Sequence, residues 1–384
     1  MNEVVEKSVI EKSVTEKSKV FFTDMRCGFE MSLLEKLDRL IMRAGIDKID
    51  FKNKYVAIKI HFGEPGNLAF LRPNFSKTVA DRIKRLGGKP FLTDCGTLYV
   101  GRRANALAHI EAAYENGYTP FSTGCHIIIA DGLKGTDELE TPVIGGKYVK
   151  TAKIGRAIMD ADIFISLNHF KGHELSGFGG AIKNIGMGCG SRAGKMEMHS
   201  ESKPVIDCEI CTGCRLCSKY CAHDAIQFNG ADGKATIDHE KCAGCGRCLG
   251  VCNFGAVEPM FDSGSKALSR KMAEYAKAVL DGRPSFHINI VNQVSPYCDC
   301  HSESDAAIIP DIGIFAGFDP VALDKACIDA VNATPAIQTS ILGECGRSQG
   351  DYFTNIHPIT DWREQLTYAE KLGIGKREYE LISN

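Results

Sequence analysis

The sequence predicts an α/β fold, a mostly parallel sheet with flanking helices, interrupted by a small cysteine-rich domain. Along most of the 384 residues, short apolar segments alternate with amphipathic helical segments, a pattern typical of parallel sheets covered by helices on both faces. One region departs from this alternation, because nine of the 17 cysteines lie between positions 208 and 252. This region is also internally repeated, since its cysteines recur 31 positions apart.

The predicted elements follow one another in the order expected for such a sheet. A strand over 19–23 precedes a helix whose apolar face carries Leu33, Leu37 and Leu40 and which ends at a glycine. Further strands are predicted over 55–62, 90–94, 126–131, 162–167 and 285–294, of which 126–131 is expected to be buried. Other helices are predicted near 74–86, 103–116 and 263–282. A later helix begins with Asp319 as N-cap and Pro320 at its first position.

Composition argues against several classes of protein. A formal net charge of -2 gives no electrostatic basis for binding nucleic acid or an anionic membrane. No apolar run approaches the ~18 residues that a transmembrane helix needs, and the N-terminal residues repeat Glu-Lys-Ser where a secretory signal would be apolar. We therefore expect a cytoplasmic protein whose cysteines are reduced thiols or metal ligands.

The chain divides into four predicted segments. These are a flexible tail over 1–18, the first part of the α/β domain over 19–202, an inserted domain over 203–260, and the second part of the α/β domain over 261–384.

Loops that follow the predicted strands are the expected location of a binding site. In open α/β sheets, ligands bind beyond the carboxyl ends of the strands. Four such loops contain glycine, histidine, cysteine or carboxylate residues: HFGEPGN (61–67), TDCGT (93–97), NHFKGHELSGFGG (168–180) and SPYCDCH (295–301).

Two cysteine runs share the spacing C-x2-C-x2-C-x3-C, first over 211–221 and again over 242–252. Three thiolates of such a run surround one face of an iron–sulfur cubane, while the fourth cysteine ligates the other cluster. The spacing therefore predicts two [4Fe–4S] clusters with crossed ligands. Cluster I would be held by Cys211, Cys214, Cys217 and Cys252, and cluster II by Cys242, Cys245, Cys248 and Cys221.

This segment resembles the bacterial two-cluster ferredoxins over about 55 residues. Zinc is the alternative, but structural zinc sites usually take cysteines in separated pairs. The proline that usually follows the fourth cysteine is replaced by Ala222 in one run and by Asn253 in the other. The nearby Cys208 has no cysteine counterpart in the repeat, where His239 takes its place, and is expected to be no ligand.

A glycine-rich segment over 168–199 precedes the cysteine runs. Its backbone amides could form an anion site, because glycines allow close approach. The alternative is that the glycines turn the chain and the basic residues are solvated. We predict a site with His173, Lys183 and His199 as catalytic residues. Residues predicted to bind a cofactor there are Gly177, Gly179, Gly180 and Lys171.

Most of the chain, from about residue 19 to 380, resembles the DUF362 family of iron–sulfur proteins. The resemblance lies in four segments: KIHFGEPGN, PFLTDCGTLYVGRR, HFKGHELSGFGGAIKNIGMGCGSRAGKMEMH and PDIGIFAGFDPVALDKACID. It implies an α/β core with an inserted ferredoxin module and does not imply one particular reaction.

The glycine-rich segment also resembles a motif of lactate racemases that use a nickel-pincer nucleotide. His173 precedes Lys183 by ten positions, and His199 follows it by 16. The resemblance implies His173 as proton-transfer base, Lys183 as cofactor tether and His199 as metal ligand. The racemase motif has Pro-Gly where this chain has Met187-Gly188, and the sequence does not place the second histidine that two-sided proton transfer needs.

The sequence as a whole favours an iron–sulfur oxidoreductase, in which the two-cluster module passes electrons to a loop-built site that binds a small molecule. A redox partner protein or ferredoxin-linked reductase would exchange electrons with it. A non-catalytic electron carrier and a racemase-like epimerase are the alternatives. An additional metal or nucleotide-type cofactor is also considered, with Cys298 and Cys300 as further metal-ligand candidates or as packing residues.

Overall fold

The computed structural model describes residues 17–98, 101–199, 203–221, 223–228, 233–242, 248, 251–258, 264–344, 346 and 348–383. Most of the predicted tail and Cys245 of the second cysteine run lie outside these residues.

An eight-stranded, mostly parallel sheet forms the centre of the protein, as the sequence predicts. Its strands, in spatial order, are β16 (Tyr379–Ile382), β1 (Ser18–Asp24), β15 (Gly313–Gly317), β14 (Ser285–Val291), β7 (Ile163–His169), β2 (Tyr55–Lys59), β3 (Lys89–Asp94) and β4 (Ile127–Ile129). Only β15 runs antiparallel to its neighbours, β1 and β14. All seven residues of β7 are buried, which is typical of a strand covered on both faces.

The predicted buried strand over 126–131 is wrong in one respect. It lies at the edge of the sheet as β4, where it pairs only with β3, and the Ile128 side chain is 43% exposed. An edge strand leaves one side without a neighbour, so its apolar residues are not all covered.

The structure describes thirteen α-helices, most of which pack on the two faces of the sheet. They are α1 (Leu33–Arg43), α2 (Pro73–Arg85), α3 (Ala106–Glu115), α4 (Pro120–Thr123), α5 (Arg156–Asp160), α6 (Ala181–Cys189), α7 (Arg192–His199), α8 (Leu216–Lys219), α9 (Ser265–Leu280), α10 (Pro320–Ala333), α11 (Ile341–Glu344), α12 (Tyr352–Ile356) and α13 (Trp362–Lys371). A 3-10 turn covers Ile46–Lys48. The predicted cap of α10 is confirmed, since Asp319 Oδ1 accepts from the amides of Val321 at 2.9 Å and Ala322 at 3.0 Å.

Two large hydrophobic clusters lie on the two faces of the sheet. One contains apolar residues of α6, α9, α10 and α13, including Ile182, Met272 and Leu323. The other contains residues of α1 and α2, such as Leu37 and Val79. The helix pattern read from the sequence therefore gives a three-layer α/β arrangement.

Short hairpins and small sheets complete the described chain. They pair β5 (Glu138–Pro142) with β6 (Thr151–Gly155), β8 (Lys171–His173) with β9 (Gly177–Gly179), β10 (Val205–Ile206) with β13 (Val257–Glu258), and β11 (Ile226–Phe228) with β12 (Ala235–Ile237). The last two pairs belong to the cysteine-rich segment. None of the helices that the structure describes is long and apolar enough to cross a membrane.

Candidate active site

A cavity of about 320 Å³ lies beyond the carboxyl ends of β2, β3 and β7. All four loops that the sequence singled out contribute to its wall. They supply His61, Thr97, His173 and the pair Cys298 and Cys300. Loop residues meet here because the carboxyl ends of parallel strands point to the same edge of the sheet.

The structure brings His173, Lys183 and His199 to this one cavity. His173 ends β8, Lys183 lies in the first turn of α6, and His199 is the last residue of α7. The sequence predicted this convergence from the racemase-like spacing and the position after β7. Their catalytic roles stay predictions.

Lys171 and two of the three predicted glycines also line the cavity, namely Gly179 and Gly180. Gly177 is not among the lining residues and has another reason to be glycine. Its φ is +80°, and a Cβ there would lie 2.8 Å from the Cβ of Trp362. The conformation and the contact both favour glycine, so this residue shapes the hairpin without facing the cavity.

The amides that directly follow the glycine-rich turn already have a protein carboxylate as their partner, while anion binding at the turn itself stays a prediction. The amides of Ala181 and Ile182, at the start of α6, donate to the Asp324 carboxylate at 2.7 and 2.9 Å. A Cβ at Gly180 would lie only 2.3 Å from Asp324 Oδ1. The protein therefore fills this helix terminus with its own carboxylate, whose pKa is raised by burial to about 6.

Two thiols face the predicted catalytic residues. Lys183 Nζ lies 3.5 Å from Cys298 Sγ, and the ligand atoms of His173, Cys298 and Cys300 all lie within 4.8 Å of one another. A hydrogen bond from Cys300, aided by the charges of Lys183 and Lys171, holds the pKa of Cys298 well below its usual value. The same hydrogen bond raises the pKa of Cys300 well above its usual value, so the two thiols titrate as a coupled pair.

The electrostatics of the cavity give its lysine and its histidine different charge states. Burial, together with the charges of His173 and Lys183, lowers the pKa of His199 to about 3, so its imidazole is neutral at pH 7. Burial alone would lower the pKa of Lys183, but the thiols of Cys298 and Cys300 raise it overall. The cavity therefore presents a charged lysine beside a neutral imidazole.

A layer of buried ionic contacts supports the wall. Asp299, between the two cysteines, accepts from His169 Nδ1 at 2.9 Å, and Lys171 Nζ lies 3.5 Å from the same carboxylate. On the other side, Lys59 pairs with Asp94 at 2.9 Å. All of these side chains are at least 90% buried, which fixes the positions of the residues that face the cavity.

Sequence reasoning did not name several charged lining residues as site residues, among them Lys59, Arg103 and Lys195, although Asp94 and Glu174 lie in loops that it singled out. Lys59 and Asp94 are the last residues of β2 and β3. Their position at the carboxyl ends of parallel strands was the signal that could have identified them.

Four cysteines of the predicted cluster I surround a separate small pocket, which Cys211, Cys214, Cys217 and Cys252 all line. Burial raises the pKa of Cys217, and the other three thiols add to the increase. The Ala235 amide donates to Cys211 Sγ at 3.4 Å. Of the predicted cluster II ligands, Cys242, Cys248 and Cys221 are described, and Cys221 Sγ accepts from the Ala225 amide at 3.4 Å.

The cysteine-rich segment packs directly on the wall of the large cavity. Cys217, Cys248 and Val257 share a buried hydrophobic cluster with Leu98 and Met196. Leu98 also lines the large cavity. The same hydrophobic cluster therefore connects the cysteine-rich segment to the wall of the cavity.

Two solved structures are similar to part of this chain. The lactate racemase apoprotein from Thermoanaerobacterium thermosaccharolyticum is 13% identical, with a TM-score of 0.33, over 67% of this chain and 49% of that chain. A Thermotoga maritima protein, solved by the Northeast Structural Genomics Consortium, is 13% identical, with a TM-score of 0.31, over 73% of this chain and 54% of that chain. The chain therefore spans about half the length of each.

Among curated protein sequences, none matches the chain significantly. A family profile does match: it is described as "Domain of unknown function (DUF362)" and covers residues 56–329. This match extends over more than half of the sequence and includes the strands, the loops and the glycine-rich segment that build the cavity. The chain therefore belongs to the DUF362 family.

Proposed function

We propose that this protein is an iron–sulfur oxidoreductase that moves electrons between its cysteine-rich segment and a small molecule in the 320 Å³ cavity. Two [4Fe–4S] clusters would be held by the cysteine sets predicted from the sequence. A redox partner protein or ferredoxin-linked reductase would exchange electrons with them.

The described cysteines fit such a cluster better than they fit a single zinc ion. Tetrahedral zinc with Zn–S bonds of ~2.3 Å places its sulfurs roughly 3.8 Å apart. Among the residues that the structure describes, no three of the four cysteines around the small pocket belong to a group of ligand atoms within 4.8 Å of one another. Wider spacing suits a cubane, whose iron atoms separate the thiolates. Amide donors to Cys211 and Cys221 sulfurs are also of the kind that tunes cluster potential.

The observation that carries the redox proposal is the position of Leu98. It belongs to the buried hydrophobic cluster that contains Cys217 and Cys248, and it also lines the large cavity. When bound, the clusters would supply single electrons next to this wall. Because this cluster is buried, the path between the two sites runs through packed protein.

The cavity residues favour an anionic substrate. Lys171 and Lys183 bring positive charge to the wall of the cavity, and each is held by nearby acceptors. Neutral His199 can donate or accept a hydrogen bond with the bound molecule. Together they would orient a small carboxylate or phosphate and balance the charge that changes during electron transfer.

Iron and sulfide analysis tests the cluster assignment. Anaerobic full-length protein is expected to contain about eight iron and eight sulfide per chain, since each cubane holds about four of each. Cys217→Ser should remove about four iron atoms, because it takes away a ligand of one cluster. Cys208→Ser is the matched control: Cys208 is exposed in the same segment, and its variant should keep all eight. Stoichiometric zinc without acid-labile sulfide would contradict the assignment.

Substrate-dependent reoxidation tests the coupling to the cavity. After photoreduction of the clusters, small carboxylates and phosphates are screened for one that accelerates their reoxidation. Lys183→Met and His199→Gln should each lower the substrate-dependent rate of reoxidation at least tenfold, because both side chains face the cavity. Oxidation by methyl viologen, which needs no cavity, should stay at the wild-type rate. If no compound discriminates the variants from the wild type, the electron-carrier function is favoured.

One observation favours a racemase-like epimerase as the second candidate. His61 lines the cavity together with His173, which gives a second histidine that the sequence alone did not place. Burial and the neighbouring Arg103 lower the pKa of His61 well below its usual value. Incorporation of solvent deuterium at a substrate carbon, without net oxidation of the clusters, would support this candidate over the first.

A further inference from the structure

We propose that Cys298 and Cys300 form a redox-active dithiol, which reduces a small anionic disulfide in the large cavity and thereby becomes an intramolecular disulfide. Both cysteines line the cavity, and their Sγ atoms lie within 4.8 Å of each other. Two neighbouring thiols can close a bond, whereas a single thiol stops at a mixed disulfide. The inference goes beyond the proposed electron transfer from the clusters and does not depend on it.

A hydrogen-bonded turn carries the two cysteines one residue apart. The His301 amide donates to the Cys298 carbonyl at 3.2 Å, so residues 298–301 form one β-turn. In such a turn the first and third Cα atoms are about 5.5 Å apart, and disulfides need roughly 4.4–6.8 Å between Cα atoms. The turn therefore allows the two sulfurs to bond when only their side chains rotate.

Contacts with other segments fix the backbone of this turn. The Asp299 carbonyl accepts from the Glu64 amide at 2.9 Å, and Arg103 Nη2 donates to the Cys300 carbonyl at 3.3 Å. The Asp299 carboxylate also pairs with His169 Nδ1 at 2.9 Å. None of these three contacts involves a cysteine sulfur, so the backbone can stay in place while the thiols react.

The two thiols differ in their access to an entering molecule. Cys298 is only 1% exposed, whereas Cys300 is partly exposed and adjoins His301, whose side chain is 45% exposed. Cys300 is therefore the first thiol that a molecule from solvent meets, and Cys298 lies behind it. This order assigns Cys300 as the attacking thiol and Cys298 as the resolving thiol.

The exchange proceeds in two balanced steps. Cys300 Sγ attacks one sulfur of the small disulfide, the S–S bond of that molecule breaks, and its first half leaves as a thiol with the proton of Cys300. Cys298 Sγ then attacks Cys300 Sγ, and the second half leaves as a thiol with the proton of Cys298. Two electrons and two protons pass to the small disulfide. Reversible disulfides of this kind are typical of catalytic or redox-sensing cysteines.

The charges of the wall favour an anionic disulfide. Lys171 and Lys183 line the cavity beside the thiols. Asp94 and Glu174 are the acidic residues in the described lining, and each already pairs with a basic side chain, at 2.9 and 3.0 Å. Carboxylates on the small disulfide would therefore be attracted by the two lysines.

Mass spectrometry of the full-length, anaerobic protein tests this inference. The segment between Lys277 and Lys325, where trypsin cuts, contains Cys298 and Cys300 and no other cysteine. The protein is mixed with the dianion 3,3′-dithiodipropionate and quenched with excess N-ethylmaleimide. We expect this peptide to lose two hydrogens and take up no maleimide, at least about tenfold faster than with the dication cystamine. The exposed Cys27 in the same sample corrects for the intrinsic reactivity of each reagent.

Variants test the order of the two thiols and the role of charge. Cys298→Ser should trap a mixed disulfide on Cys300, because no resolving thiol remains. Cys300→Ser should slow the reaction at least about tenfold, because the remaining thiol is buried. Lys183→Met should weaken the preference for the dianion. Cys95→Ser is the matched control: Cys95 is a buried thiol that lines the same cavity outside the pair, and its variant should form the disulfide at the wild-type rate.

Several results would overturn the proposal, and the first two need no variant to fold. They are a wild-type peptide that keeps its two hydrogens while Cys27 reacts, and equal corrected rates for the dianion and the dication. The others are an adduct in Cys300→Ser but none in Cys298→Ser, and exchange that begins only after a chelator removes a bound metal. Iron and sulfide are quantified in the same samples. A disulfide formed in protein without clusters would refute the cluster proposal alone, whereas inert thiols in protein with clusters would refute this one alone.

Discussion

Glu274→Ala is expected to lower the free energy of unfolding by about 3–5 kcal/mol, because each buried donor left without an acceptor costs roughly 1–3 kcal/mol. The Glu274 carboxylate is fully buried. It accepts from the amides of Lys147, Tyr148 and Val149, and from the Tyr368 hydroxyl at 2.6 Å. Denaturant unfolding of the anaerobic protein measures the loss.

Glu115→Ala provides the control for this prediction. Glu115 is half exposed and pairs with Arg102 on the surface, so its replacement should cost about 0–1 kcal/mol. Glu274→Gln should fall between the two, because the amide keeps one acceptor oxygen. A loss below about 1 kcal/mol for Glu274→Ala would mean that water reaches the three amides. The effect also bears on the site, since α9 carries both Glu274 and the lining residue Met272.

His109→Leu is expected to make the protein more acid-resistant. Burial lowers the pKa of His109 to about 3, and neither ring nitrogen has a hydrogen-bond partner among the residues that the structure describes. The folded pKa lies below the unfolded value of about 6.5. Between these values the unfolded chain binds a proton that the folded chain does not. The free energy of unfolding is therefore not reduced by His109 above pH ~6.5, and it declines as the pH falls below that value.

The size of the effect follows from this linkage. One histidine costs up to ~1.4 kcal/mol per pH unit, so the advantage of His109→Leu over the wild type should be about 2 kcal/mol larger at pH 5 than at pH 7.5. Comparing the two proteins cancels the other titrating groups, including Asp131 and Asp324, whose raised pKa values act in the opposite direction. His126→Gln, at an exposed position, should show no such change. An equal difference at both pH values would mean that His109 becomes protonated within the fold.

The alternation of apolar and helical segments was enough to predict the sheet and most of its helices. This alternation did not predict all of the short strands. β15 consists of GIFAG, and its two glycines and five residues gave little strand signal. Its antiparallel place between β1 and β14 depends on pairing with strands far away in sequence, which local propensity does not encode.

For the site, the rule that ligands bind at strand ends identified the right loops, and the motif spacing identified His173, Lys183 and His199 as partners. It could not show that the amides after Gly180 are already bound to Asp324, because 142 residues separate Ile182 from that carboxylate. Cys298 was weighed between packing and metal binding for the same reason. Its neighbours are set by contacts between distant segments.

The sequence by itself determined the residue types of this protein: a duplicated cysteine spacing, a glycine-rich loop with lysine and histidines, and an α/β order of elements. Only the tertiary structure decided which of them meet. Cys298 reaches Lys183 across 115 residues, and Leu98 comes to lie between the cysteine-rich segment and the cavity. Spacing within a loop or helix fixes local geometry, because covalent bonds constrain it. Contacts between distant segments depend on how the sheet and its helices bury their apolar faces together.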